Sequence, residues 1–568
     1  MTGSFPILMR HFVDAALAPE VLTEAGADYL RRTLFGVVAV LLVVGMFVTR
    51  AFFDKYTQLG SRVGSEAYLS AVQADTLFML ALPMLLVGLA AVVAGPLLFP
   101  DETDYRVLTP LPISRAELFL AKLAAVAAIV AVAIVAVNII TTFWFPIAIS
   151  GRKAQHPLFA RFVTHAIASL AGSTFMCLAV MAVQGVMIVA VPSAWQRRMS
   201  VVVQGAMCVG LLVCLPIVSS MPGMDVTSAT VLQPPLSWLP PSWFLGVQRW
   251  LLDGGAAGGY TQAAARGGLA IAIALALVVA SYVALYRSAE RLAGVAGANR
   301  RSRRASTMLA RRVTGLAPQT LAIVDFIRAG IARSRLHQFV FIIGFGTGIA
   351  VLIGDIAAVI EGVSPMASRP GAPVQAAISA PMLMALAMVL ALRSAMKWPL
   401  ERDAAWIFRI TEDPRTRAAA LGGASWTFAV SAWLAAVVTA AVLQPRMIGP
   451  TWIVAAALTS VAVLALVEFV LIDWRRIPFA CTYLPGKHVL AYHMGVLFAE
   501  YVIFVVIGGN VIRAAVVDPA RTIALGGFLI AGWAALRRAR MKTWGDAALE
   551  FEDDDPSEAT LITGVREK

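Results

Sequence analysis

Apolar residues run almost unbroken at twelve places along the chain, each for about the thickness of a bilayer. The first six runs cover approximately Thr33–Phe53, Asp75–Phe99, Leu123–Trp144, Ala166–Val191, Val201–Ile217 and Arg266–Tyr286. The second six cover Phe339–Val359, Val374–Leu392, Trp426–Leu443, Thr451–Ile472, Val489–Ile507 and Thr522–Leu536. A hydrocarbon core about 30 Å thick takes roughly 20 helical residues per crossing. No run alternates apolar with polar residues as a barrel strand facing a lumen would, so helices are implied. The pattern predicts an all-α polytopic membrane protein with about 12 transmembrane helices. The fifth and twelfth runs are short or interrupted.

Composition agrees with that reading. Of 568 residues, 59% are hydrophobic and only 14% charged, and the mean hydropathy is +0.79. A water-soluble chain carries roughly 25% charged residues, so an aqueous fold is excluded. Cys177, Cys208, Cys214 and Cys481 show no CxxC spacing, which argues against a disulfide framework or a thiolate metal site. The first long apolar run begins only near Thr33, after the mixed stretch Met9–Asp14, so a retained membrane helix is expected rather than a signal peptide.

The charge pattern supplies an orientation. Between Arg287 and Arg335 lie eleven arginines against only Glu290 and Asp325, which assigns that segment to the cytoplasm. With twelve crossings the same side receives Arg197–Arg198, Arg475–Arg476 and the group Arg537, Arg538, Arg540 and Lys542, so both termini are expected to be cytoplasmic. Arg152, Lys153 and Arg161 fall in an outer loop and oppose this count. The net charge of +13 sits largely where the positive-inside bias places it. It lacks the basic and aromatic interleaving that stacks bases, which excludes nucleic acid as a partner. Membrane lipids are the expected partner of the Arg300–Arg312 cluster.

The two halves share a plan, each with six crossings. Each has a basic aromatic turn after its fourth crossing, Trp195–Arg198 in one and Trp474–Arg476 in the other. Each also opens with an amphipathic segment, near Phe5–Ala16 and Leu321–Leu336. Two pseudo-repeated six-helix halves follow. Residues 1–32 are read as a cytoplasmic amphipathic segment, 33–289 as the first membrane half and 290–338 as a basic cytoplasmic linker with an amphipathic helix. Residues 339–537 form the second half and 538–568 a cytoplasmic tail that ends in the acidic run Glu550–Asp555.

Three cytoplasmic segments carry candidate contacts. After the second crossing the chain reads Asp101-Glu102-Thr103-Asp104-Tyr105-Arg106-Val107-Leu108-Thr109-Pro110-Leu111-Pro112-Ile113-Ser114-Arg115-Ala116-Glu117. Ser114 is placed as an N-cap with Glu117 at the capping-box position, launching the helix that enters the membrane. Such a segment either transmits force to that helix or is only a well-capped loop. Its counterpart runs from Trp398 to Arg417 and holds Glu401, Arg402, Trp406 and Arg415. The third, Ile477–His488, has the content of a surface that packs against protein or headgroups. Trp238–Phe244, followed by Trp250 and Leu251, reads as an interfacial helix with aromatic anchors.

The run Thr109-Pro110-Leu111-Pro112-Ile113-Ser114-Arg115, with Glu117 and Lys122 following, resembles a segment found after the second crossing in the permease subunits of type-2 ABC exporters. Those subunits have six crossings preceded by an amphipathic inner helix, and this chain looks like two such units fused. Leu239-Pro240-Pro241-Ser242-Trp243-Phe244 is similar to a proline-tryptophan segment common there. The resemblance implies export driven by a separate ATP-binding cassette ATPase that carries ATP and magnesium. It also implies the cytoplasmic membrane of a bacterium, and coupling contacts at Asp104, Tyr105, Arg106, Ser114, Arg115 and Glu117. Glu401, Arg402, Trp406 and Arg415 would be a weaker second set. The second half departs from the pattern where Glu412-Asp413-Pro414-Arg415 replaces the proline-isoleucine-serine run.

The chain has no phosphate-binding loop: Gly486-Lys487-His488 lacks both the upstream glycine and the Ser or Thr that reaches magnesium. It lacks HExxH and GxSxG as well, so neither enzymatic activity nor a cofactor is expected of this chain by itself. Among intramembrane acids, Glu468 and Glu500 stand out, with His493 about two turns from Glu500. Either they pack as hydrogen-bonded interhelical contacts or they form a polar site. An ion-coupled secondary transporter using Glu500, and a non-transporting membrane scaffold, are the alternative functions. A homodimer is one assembly left open.

Overall fold

The computed structural model describes residues 4–17, 52–59, 65–99, 113–149, 156–223, 231–254, 258–287, 317–360, 372–400, 414–480 and 490–546. Across these residues the protein is helical and divides into two compact units, Met1–Ala298 and Asn299–Lys568. Ten helical stretches among them are long and apolar enough to cross a membrane. The protein is an all-α, multi-pass membrane protein.

The first unit contains α1 (Ser4–Leu17), α2 (residues 52–59), α3 (Ser65–Val93), the short α4 (Gly95–Leu98), α5 (Arg115–Ala148), α6 (Leu158–Ala190), α7 (Ser193–Ser220), α8 (Pro240–Leu252) and α9 (Gly258–Arg287). The centre is α3, most of whose apolar stretch is buried, whereas α5 and α7 leave most of theirs uncovered. It packs against α5, α6, α7 and α8, while α6 also packs against α9. Ala74, Leu77, Leu80, Ala81 and Met84 of α3 meet Ala168, Phe244 and Leu245 in the core. Between Leu239 and Leu252 one face of the helix packs into the unit. Trp238 and Trp250 are exposed, but Phe244 and Leu245 of α8 are fully buried.

The start of α5 follows local chemistry. Ser114 has extended backbone geometry and its Oγ accepts the Glu117 N–H at 3.2 Å, supplying one of the donors that a helix start leaves unpaired. The apolar face of α1 sits just beyond this cap, where Leu8 and Phe12 pack on Leu118, Ala121 and Ala125. The Lys122 Nζ lies 4.6 Å from the centre of the Phe12 ring.

The second unit contains α10 (Pro318–Arg333), α11 (Arg335–Ile360), α12 (Ala372–Lys397), α13 (Pro414–Ile448), α14 (Trp452–Val470), α15 (Leu490–Glu500), a π-helical stretch at Tyr501–Ile507, α16 (Gly508–Val516) and α17 (Pro519–Asp546). Here α12 is central, again with most of its apolar stretch buried. It packs against α11, α13, α14, the π-helical stretch and α16, while α14 packs against α17. The amphipathic α10 lies on α13, where Gly423 leaves room for Ile323 and for the Thr320 carbonyl. The apolar stretch Leu421–Val470 is 50 residues long. It is broken at Gly449, whose φ of +60° admits glycine at little cost, and α13 and α14 fold back on each other there.

Small residues bring α11 and α12 together. Gly344 faces Ala391 and Gly348 faces Ala387, so both helices present small residues four apart. A Cβ at position 344 would lie 2.9 Å from the Ala391 Cα, which is backbone and does not yield easily. Gly344→Val is therefore expected to destabilise the second unit by about 1–3 kcal/mol through overpacking. Gly210→Ala, with open space around it, should not. Thermal unfolding of the two variants in lipid nanodiscs measures the difference.

Candidate functional site

Polar side chains are buried where the helices of each unit meet. In the first unit Asp75 of α3 is fully buried and receives Lys55 Nζ at 2.7 and 2.9 Å and the hydroxyl of Tyr56. Lys55 also donates to the Pro222 carbonyl at 3.2 Å. This group ties α2 and α3 to the turn after α7. Burial raises the Tyr56 hydroxyl far above its ordinary value and the Asp75 charge acts in the same direction, so Tyr56 stays protonated as the donor.

Further links run from helix to helix in the same unit. The Asn138 amide of α5 donates to Ser173 Oγ of α6 at 2.8 Å, and the Ser169 hydroxyl donates back to Asn138. His165 of α6 meets Gln248 of α8 at 3.3 Å, and Gln73 of α3 donates to the Tyr260 hydroxyl of α9 at 3.3 Å. An apolar cavity of about 850 Å³ lies between α5, α6 and α9, lined by residues such as Phe119, Val126, Ile134, Cys177, Met181 and Val279.

In the second unit Glu468 of α14 and Arg540 of α17 form a two-pronged ion pair. Nη2 donates to Oε1 at 3.0 Å and Nε to Oε2, and both residues are buried. The Arg540 guanidinium lies 4.0 Å from the Trp544 ring centre. A matched fork of this kind supplies the counter-charge that an intramembrane acid requires. Glu468 therefore clamps two helices. Glu500 is set apart from this pair: it is 4% exposed, and its Oε2 has no hydrogen-bond partner among the described residues.

One end of α12 is fastened to neighbouring chain. The Phe479 N–H donates to the Met396 carbonyl at 3.1 Å and the Leu400 N–H to the Phe479 carbonyl at 3.4 Å. Phe479 takes a φ of +64°, unusual for a residue with a side chain. The His337 ring packs on its ring at 4.8 Å and bonds the Trp398 carbonyl at 2.8 Å. Ile477, Phe479 and Ala480 are buried, so the described part of the Ile477–His488 segment packs against protein.

The sequence-predicted coupling residues divide accordingly. Ser114 caps α5 and Glu117 is half-buried in its first turn. Arg115 and Arg415 open α5 and α13, but their side chains lie outside the described residues. Asp104, Tyr105, Arg106, Glu401, Arg402 and Trp406 lie outside them altogether, as do residues 33–51 of the first predicted crossing. His493 is in α15 with its side chain outside the described set. The sequence reading missed Asp75 as a buried ion-pair partner, since it stood at the edge of a predicted crossing. The signal was Lys55-Tyr56 at the end of the preceding run.

A scan against protein-family models finds no match, and neither a search of curated proteins nor one of solved structures finds any. The likeness to exporter permeases thus stands on the residues and layout of this chain alone.

The Glu468–Arg540 pair yields a direct test. Arg540→Met leaves the Glu468 carboxylate buried without its cation and should cost about 3–5 kcal/mol of stability. Adding Glu468→Gln to that variant should restore much of the loss. Unfolding midpoints of both variants and the wild type decide; equal losses in the single and double variants would show that the two groups are not coupled.

Proposed function

We propose that the chain is the permease component of an ATP-driven, ABC-type export system. It moves a substrate across the membrane while a separate ATP-binding cassette subunit hydrolyses magnesium ATP. The observation that carries this reading is the repeated placement of a short amphipathic helix. In the first unit α1 packs on α5, the helix that follows the Asp101–Glu117 segment. In the second unit α10 packs on α13, the helix that follows the Glu401–Asp413 segment. In both units the segment leaves the most buried helix, α3 or α12.

The same correspondence supports a two-fold pseudo-repeat. In one unit α3 meets α5, α6 and α7, in the other α12 meets α13, α14 and the π-helical stretch with α16, and the α6–α9 contact is matched by α14–α17. Counting Leu421–Val470 as two helices across Gly449, and adding the crossing expected from the sequence alone at Thr33–Phe53, gives twelve crossings. An even number puts both termini on one side, and the arginine-rich segment makes that side cytoplasmic. Motion of the ATPase would then reach α5 and α13 through their helix starts, α5 capped by Ser114, with α1 and α10 bracing the two helices. The membrane is read as the cytoplasmic membrane of a bacterium, with lipids around both units.

Affinity purification from the native host in mild detergent, with mass spectrometry and an ATPase assay, tests the reading. A stoichiometric ATPase should copurify with the full-length chain. Arg106→Glu with Arg115→Glu should reduce its recovery at least several-fold. Recovery of the chain without an ATPase, under conditions that preserve a known complex of this kind, would overturn the proposal. Undiminished recovery with the charge-reversed chain would remove Arg106 and Arg115 from the contact.

A further inference from the structure

Glu500 stands where α15 passes into the π-helical stretch Tyr501–Ile507, buried and with Oε2 unpartnered among the described residues. The charges that act on it are Arg393 of α12 and Asp473 just past α14. Arg393 is already engaged. Its Nη1 donates to the Val470 carbonyl at 2.9 Å and its Nη2 to the two Asp473 oxygens at 3.1 and 3.2 Å, while its Nε is buried without a partner. The Asp473 side chain is 68% exposed. Arg393 is thus paired with an exposed acid, while Glu500 is buried.

Other ionisable groups lie on the neighbouring elements. Glu468 on α14 is paired with Arg540. Asp355 on α11 acts on Tyr501. Lys397 follows Arg393 by one turn on α12, and Arg513 lies on α16 beyond the π-helical stretch. An ionised carboxylate held dry without a donor is far more costly than the neutral acid. A π-helical stretch also interrupts the regular helix, as recurs at functional sites.

We propose that Glu500 is an intramembrane proton-binding site whose proton exchanges for the guanidinium of Arg393. With Arg393 on Asp473, the arrangement seen here, Glu500 holds the proton. When Arg393 turns to Glu500, the acid O–H bond breaks, the proton passes to water beside the exposed Asp473, and the carboxylate pairs with the guanidinium. Asp473 is left to solvent. No co-reactant is needed, and the site does not depend on the presence of an ATPase.

Infrared spectra of the full-length protein in lipid nanodiscs, recorded across a pH titration in H2O and D2O, read the C=O band of a protonated carboxyl. The wild type is expected to show a band that Glu500→Gln removes and Glu500→Asp shifts. A nearby cation favours the ionised acid. Arg393→Gln should therefore let the neutral acid persist to higher pH, moving the band's titration upward, a change that loss of packing alone would not produce. If Glu500→Gln does not fold, the Glu500→Asp and Arg393→Gln arms still decide. Identical spectra in the wild type and every folded Glu500 variant, at all pH values, overturn the site. A Glu500 band whose titration Arg393→Gln leaves in place overturns the exchange.

Discussion

An ionised side chain buried among apolar helices has to meet its counter-charge or give the charge up, and each unit of this protein holds a pair that meets that requirement. Asp75 lies on the most buried helix of the first unit, and Lys55 and Tyr56 come from a separate helix to meet it. Glu468 is met by Arg540 from a helix some seventy residues further along the chain. Apolar contact alone distinguishes poorly between helix neighbours in lipid, because acyl chains are as apolar as leucine. The polar pairs do discriminate, since each has one partner of the right sign and reach. They fix which helices are neighbours, while small residues set how near those neighbours come.

Much of the architecture was legible in the apolar runs. The second to twelfth runs all fall on described helices, because a span of roughly 20 apolar residues has few other stable forms in a bilayer. The N-cap at Ser114 was legible too, since it depends only on residues within one turn. Tertiary pairings were not. Nothing local to Glu468 names Arg540, and the apolar pattern around Asp75 ends a run rather than marking a contact. The small-residue faces at Gly344, Gly348, Ala387 and Ala391 carried a readable spacing, but composition this rich in alanine and glycine hides one such stripe among many. The burial of α8 was unreadable for a further reason: tryptophans at both ends look alike whether the middle of the helix is covered or not.

The two units solve the same packing problem with different details. In both, the most buried helix meets its successors and a short amphipathic helix braces the next long one. In the first unit polar groups link α2 to α3, α3 to α9, α5 to α6 and α6 to α8. The second relies more on apolar packing, with Leu386, Val389, Phe428, Val463 and Leu466 in one continuous core. Besides the Glu468–Arg540 pair, polar contacts gather near one end of α12, where Arg393 and the backbone at Trp398 and Phe479 bind the chain on either side. A displacement of that end is therefore felt by α10, α11 and the chain after α14 together.

The close approach of α11 and α12 has a mechanical meaning. Where large side chains interlock, sliding one helix along another forces many rotamers to change at once. Gly344 against Ala391 and Gly348 against Ala387 offer a nearly smooth track at those points, with only methyl groups to pass. Such a contact resists separation through close backbone packing yet opposes axial shear weakly. Within the second unit, the low-friction part of the seam between α11 and α12 is confined to these two contacts, with Phe341 and Leu352 packed on the core to either side of them.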